Sequence, residues 1–319
     1  MNCKHARYLD ALGLLDDDID DEFRFFNLEK DRISKPVIVT AFSQTHWSRG
    51  RRLIASIRRH LPDHLIIVYD LGLDFINARF LSFLCNVKYR KFYFKHYPER
   101  VAKVREFRWK PIIIAEILQE YDTLWYFDST VMLKKTNLSN IYNLLECHKN
   151  AASDPKVLTP REIQKNCRNS SYLFHIYAGH GIFSATHPDL YQYFPTNLFK
   201  IKTPKARMYD AGLVFVVRTA RTVQQFLRWY VACALESKCM APRRSVLRCK
   251  FDKNDFFGIY ARCHRYDQSV INLLVANAFQ YDYRFYTSGF NDEFFEVNRL
   301  DSAPVPDSEL VSCDKQTGK

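Results

Sequence analysis

Three features of this 319-residue sequence predict an α/β fold around a parallel-rich sheet with right-handed crossovers. Short apolar or β-branched runs recur at "VIVTAFS" (37–43), "HLIIVYDLGL" (64–73), "VKYRKFYF" (87–94) and "DTLWYFDSTVML" (122–133). Helical spacing of apolar residues lies between some of them, as at Trp47, Ile54, Ile57 and Leu61. Hydrophobic residues make up 47% of the chain, enough for one large core. Ligands of such sheets bind outside the carboxyl ends of the strands.

In chain order, residues 1–35 are polar, acidic in the middle and without sustained periodicity, and read as a stem or arm. A single domain is expected over 36–297, with a first half at 36–150 and a second at 151–297. The run 37–43 reads as a strand, and 46–61 as a basic amphipathic helix. The run 64–73 repeats the strand signal and ends in an Asp-Leu-Gly turn, and 87–94 alternates as a more exposed strand does. "RWKPIIIAEILQEY" (108–121) reads as a helix with Pro111 at its first position, which puts Lys110 near the cap. The run 122–133 reads as one deeply buried strand of a parallel sheet.

In the second half, "YAGHGIFSAT" (177–186) and "MYDAGLVFVVR" (208–218) are strand-like, and 219–237 is helical. "RYDQSVINLLVANAF" (265–279) is an amphipathic helix with an acid in its first turn. The tail, 298–319, is polar with prolines and is expected to be loose.

A net charge of +12 favours polyanions, nucleotides or anionic glycans as partners. The basic residues are scattered, and zinc-finger, ribonucleoprotein and helix-turn-helix signatures are missing, so nucleic acid is not expected. No run reaches the roughly 18 apolar residues of a membrane span, so membrane association would need an anchor absent from this sequence. Of nine cysteines, Cys233, Cys239, Cys249 and Cys263 cluster in an insert at 233–263. Their spacing contains no C-x2-C pair, which argues against zinc. Two disulfides in an oxidising lumen, or a buried set of free thiols, both fit. The sequons Asn137-Leu138-Ser139 and Asn169-Ser170-Ser171 agree with a lumenal address, and otherwise the chain is cytoplasmic. A serine hydrolase lacks its G-x-S-x-G elbow, and "TAFSQTHW" lacks the glycines of a dinucleotide fold.

Asp128 interrupts the apolar run 125–133. An ionised carboxylate at a buried strand end needs a positive or hydrogen-bonding partner. Two readings fit: a divalent cation beside a diphosphate, or a cap on the following turn through Ser129 and Thr130.

Taken together, "VIVTAFSQTHW", "YDLGL", "RWKPIIIAEIL", "YDTLWYFDSTV", "MYDAGLVFV" and "CHRYDQSVINLLVANAF" resemble a poorly characterised animal family of glycosyltransferase-like proteins within the nucleotide-diphospho-sugar transferase superfamily. The match runs from about residue 36 to 290. It implies a GT-A fold: a Rossmann-like, mixed and mostly parallel sheet flanked by helices, with a smaller acceptor-side half. It implies that "FDST" stands where an Asp-x-Asp signature holds Mn2+ or Mg2+ through Asp128 and Thr130, with Ser129 between them. Thr130 replaces the second aspartate, and a neutral hydroxyl is a weak ligand for a hard cation, so metal dependence is in doubt.

The resemblance further implies a nucleotide pocket lined by Thr40, Ala41, Phe42 and Ser43, with Asp70 on ribose or base. Arg108 and Lys110, at a helix start, suit a diphosphate. Asp210 and Gly212 resemble the strand beside the sugar, and Asp267 and Gln268 an Asp-Gln motif at the reaction centre. The bland readings are an Asp-Leu-Gly turn for Asp70, a basic turn for Arg108 and Lys110, and a helix-start acid for Asp267. His180, between two glycines, is a candidate ligand or a satisfied loop histidine. The function implied is sugar transfer from a nucleotide-sugar donor to a hydroxyl of a glycan or glycoprotein in the Golgi or endoplasmic reticulum lumen. The alternative is a pseudo-enzyme that kept the fold and binds without turnover.

Overall fold

The computed structural model describes residues 3–15, 25–153, 167–299 and 304–311. The acidic run at 16–22 falls outside the described residues. The elements are α1 (Ala6–Ala11), β1 (Val37–Phe42), α2 (Trp47–His60), β2 (Ile66–Asp70), α3 (Phe75–Phe83) and β3 (Val87–Lys91). They continue as α4 (Trp109–Glu120), β4 (Thr123–Phe127), β5 (Val131–Leu133), α5 (Ser139–Ser153), β6 (Tyr172–Phe174) and β7 (Tyr177–Gly181). The remainder are β8 (Arg207–Tyr209), β9 (Leu213–Val217), α6 (Arg228–Leu235), α7 (Asp267–Ala278), β10 (Phe295–Val297) and α8 (Ser308–Val311).

The central sheet has six strands in the order β3-β2-β1-β4-β9-β6. Pairs β2/β3, β1/β2 and β1/β4 are parallel, and β4/β9 and β6/β9 are antiparallel. This is the mixed, mostly parallel sheet expected. Strand alternation divides the core in two. Val37, Val39, Ala41, Leu124 and Tyr126 pack with α4, α6 and α7 on one face. Ile38, Phe42, Trp125, Phe127 and Phe215 pack with α2 and α5 on the other. Each large side chain so buried contributes about 1.5–3 kcal/mol.

Four features differ from expectation. The run 122–133 is two strands in different sheets, because the chain turns at Asp128–Thr130 and β5 leaves to pair with β10. A helix, α3, stands where the sequence shows no amphipathic stripe. Its start is capped by the Asp74 carboxylate, which accepts from Asn77 N at 2.8 Å, while Phe75, Ile76 and Phe83 remain exposed. Parallel pairing of β2 and β3 needs such a crossover. The described part of the tail is docked: Leu310 is fully buried, and Asp307 and Glu309 pair with Arg51 and Arg59 of α2. Likewise Leu9, Leu12 and Leu14 of the N-terminal arm are buried in the first core layer.

Candidate functional site

Strands β1 and β4 end side by side, and the starts of α4 and α7 converge on the same spot. Helix α4 begins at Trp109, two residues before Pro111, so Lys110 lies inside its first turn. Phe107 (φ 54°) and Tyr266 (φ 46°) precede the two helices, in a region that costs a non-glycine residue about 1–3 kcal/mol. Packing holds these turns, and with them the direction of Lys110 and Asp267.

Lys110 is buried and carries the centre of the site. Its Nζ lies 2.7 Å from Asp267 Oδ2 and 3.2 Å from Asp128 Oδ1. It also donates to the carbonyl of Ala211 at 3.5 Å. The approach to Asp267 Oδ2 is off the hydrogen-bond direction, so charge rather than alignment holds this pair. Tyr126 donates its hydroxyl to Asp128 Oδ1 at 3.1 Å, and Asp128 N donates to Gly212 O at 2.7 Å. Burial alone lowers the Lys110 ammonium, but Asp128 and Asp267 outweigh it and hold the group above its usual range. Burial pushes the Asp267 carboxyl up to about 6; Lys110 opposes this, and Asp128 adds to it. Asp128 thus attracts the lysine and repels its partner.

Asp128 keeps a third of its side chain exposed and opens onto a cavity of about 710 Å³. Ala41, Phe42, Ser43, Ser129, Thr130 and Gly212, all named from the sequence, also line it. A second cavity of about 640 Å³, holding His180 and Tyr177, meets the first along a wall shared by Asp210, Arg265, Gln268 and Arg299. Asp210 accepts from Gly212 N at 2.9 Å and from Arg299 at 3.1 Å. His180 is buried, its Nδ1 3.1 Å from Gly181 O, and burial lowers its pKa.

Three predicted residues lie elsewhere. Arg108 is buried with its donors turned inward: Nε to Glu106 Oε2 at 2.6 Å, Nη1 to the carbonyls of Ala234 and Glu236 at 2.7 Å, and Nη2 to Ser237 O at 3.0 Å. It ties the start of α4 to the end of α6 and offers nothing to a diphosphate. Asp70 is a turn residue, accepting from Gly72 N, Leu73 N and the Tyr89 hydroxyl at 2.5–2.7 Å. Thr40 lies within β1 rather than at its end and is fully buried, away from the cavity.

Cavity residues that the sequence reading missed are His46, Arg49, Arg105, Arg265 and Arg299. The basic start of "HWSRGRRL" and the arginine just before Tyr266 and Asp267 were the available signals. Arg299 arrives from the chain after β10, which no local pattern indicates.

The donor set does not by itself suit a divalent cation. No group of three His, Cys, Asp or Glu side chains able to hold a metal occurs among the described residues. Asp128 already faces an ammonium, and Thr130 supplies at most a neutral oxygen.

The family model described as a protein of unknown function (DUF1647) matches residues 1–115. A search of the curated proteins finds no match. Similar solved structures include the galactosyltransferase LgtC in complex with donor and acceptor sugar analogues, at 14% identity over 61% of this chain and 59% of that one (TM-score 0.32). Core-mannan synthase A from Aspergillus fumigatus, in its Mn/GDP form, matches at 10% identity over 82% and 77% (TM-score 0.43). Mouse xyloside xylosyltransferase 1 in its apo form matches at 9% identity over 80% and 84% (TM-score 0.40). This chain spans 59% of the length of the galactosyltransferase and 39% of that of the bifunctional glycosyltransferase WbbM.

Proposed function

We propose that the chain is a glycosyltransferase that takes a sugar from a nucleoside-diphosphate donor and places it on a hydroxyl of a glycan or glycoprotein. The observation that carries this reading is the Asp128–Lys110–Asp267 cluster, with Lys110 and Asp267 buried and Asp128 facing a cationic cavity at the carboxyl ends of parallel strands. In this reading Ala41, Phe42 and Ser43 flank the nucleotide, and Asp128, Ser129, Thr130 and Gly212 border the diphosphate and sugar. The adjoining cavity takes the acceptor, with Asp210 and Gln268 at the wall between them.

Transfer forms a bond from the acceptor oxygen to the anomeric carbon and breaks the bond to the diphosphate oxygen, which leaves with the electron pair. The acceptor proton passes to a carboxylate, for which Asp210 is the group at the shared wall. Positioning and stabilisation of leaving-group charge supply the rate. If bound, Mn2+ or Mg2+ would stabilise that same charge, with Asp128 as its only charged protein ligand among the described residues at the turn.

Three disulfides, Cys147–Cys167, Cys233–Cys239 and Cys249–Cys263, support an oxidising compartment such as the Golgi or endoplasmic reticulum lumen. Cys85 is disulfide-bonded too, and Cys3 is the free cysteine among the described residues. No helix among the described residues is long and apolar enough to cross a membrane.

A nucleotide-sugar panel read by thermal shift, followed by donor hydrolysis and transfer assays, tests the proposal. Binding with turnover supports it. Thr130 in place of a second acid favours the non-catalytic alternative, which binding without turnover would support. No binding across the panel would overturn the transferase reading and leave the pseudo-enzyme.

A further inference from the structure

We propose that this cavity holds a diphosphate without a divalent cation, its charge being met by Arg105 and Arg265. The inference rests on the nucleoside-diphosphate reading above and goes beyond it by naming what replaces the metal.

The cavity is lined by five cationic side chains, Arg49, Arg105, Lys110, Arg265 and Arg299, against three carboxylates, Asp128, Asp210 and Asp267, an excess of two positive charges. Burial and the neighbouring Arg49 lower the His46 pKa and so disfavour a further positive charge there. A diphosphate diester carries one negative charge on each phosphate, so the cavity already balances it.

The cations are not equally committed. Arg299 is spent on Asp210 at 3.1 Å, and Arg49 donates to the carbonyl of Arg299 at 3.0 Å. Arg105 is exposed and forms no salt bridge among the described residues. Arg265 has its Nε buried without a hydrogen-bond partner, on the wall between the two cavities. Arg265 also forms no salt bridge among the described residues, and a guanidinium fork that lines a cavity without a carboxylate partner matches phosphate oxygens in pairs.

The place where a metal would stand is compromised from the other side. Both oxygens of Asp128 lie within 3.4 Å of Lys110 Nζ, and Oδ1 also accepts from Tyr126. A divalent ion on that carboxylate would be repelled by the ammonium. The ammonium cannot withdraw without leaving Asp267 buried and unpaired.

The test is isothermal titration of the full chain with UDP, GDP and inorganic pyrophosphate, in EDTA and in Mn2+. The expected result is binding of at least one nucleotide in EDTA, with affinity within about twofold of that in Mn2+. Arg105→Gln and Arg265→Gln should each weaken it about tenfold in EDTA. Arg105 is exposed, so its variant keeps the test valid even if Arg265→Gln fails to fold. Nucleotide binding only with Mn2+, or undiminished binding by the folded variants, would overturn the inference and leave the donor site standing. Failure of all three probes in both buffers would overturn the donor reading as well.

Discussion

Lys110 Nζ and Asp267 Oδ2 lie 2.7 Å apart, with 3% and 6% of their side chains exposed, across the first turns of two helices that are distant in sequence. Removing one member of such a pair leaves an uncompensated buried charge. Lys110→Met, which also strips Asp128 of its nearest cation, should cost about 3–5 kcal/mol of stability. Denaturant unfolding of the variant checks this, and a loss below about 1 kcal/mol would show that the two carboxylates find other partners.

The pH dependence of stability follows from Asp267. Its folded pKa is pushed up to about 6, above the ordinary carboxylate value, so folding favours the protonated form. Its contribution is fully present below the ordinary value and is lost as pH rises through about 6. Urea midpoints of the parent and Asp267→Asn chains should therefore diverge across this interval, the parent losing ground as pH rises. Parallel curves would remove Asp267 as the titrating group.

Gly212 backs directly onto the carboxylate of Asp128, and a Cβ built there collides with it. Gly212→Ala should turn Asp128 off Lys110 and weaken donor binding about tenfold. The fold should survive, since the side chain to be moved borders an open cavity. Calorimetry beside circular dichroism separates the two effects.

Arg108 offers the opposite pattern. Its guanidinium satisfies three backbone carbonyls and Glu106 in the interior. Arg108→Met should destabilise the chain by about 2–5 kcal/mol, chiefly by orphaning these acceptors, while leaving donor affinity within about twofold. A specific loss of donor binding in a variant of unchanged melting temperature would return Arg108 to the diphosphate.

Removing the Cys249–Cys263 bridge, whose ends are 14 residues apart in sequence, should cost about 3 kcal/mol. Arg265 follows two residues later and Leu247 lines the cavity, so Cys249→Ala with Cys263→Ala should also weaken anion binding. Thermal unfolding and pyrophosphate titration of the double variant check both expectations.

Within the sequence alone lay the short apolar runs that make the sheet, the carboxylate that breaks one of them, and the acids at 210 and 267. These are local facts, because strand period and the cost of a buried charge act over a few residues. Tertiary structure decided the rest. Asp70 and Arg108 had the right residue types at the right distances in sequence, but packing turned both inward, where backbone groups consumed their hydrogen bonds. Arg105, Arg265 and Arg299 carried no pattern distinguishing them from the other basic residues, and became neighbours only when loops from three parts of the chain met over the ends of β1 and β4. Charge is long-ranged and sequence patterns are not, so an electrostatic site assembled from distant segments is readable only once the chain is folded.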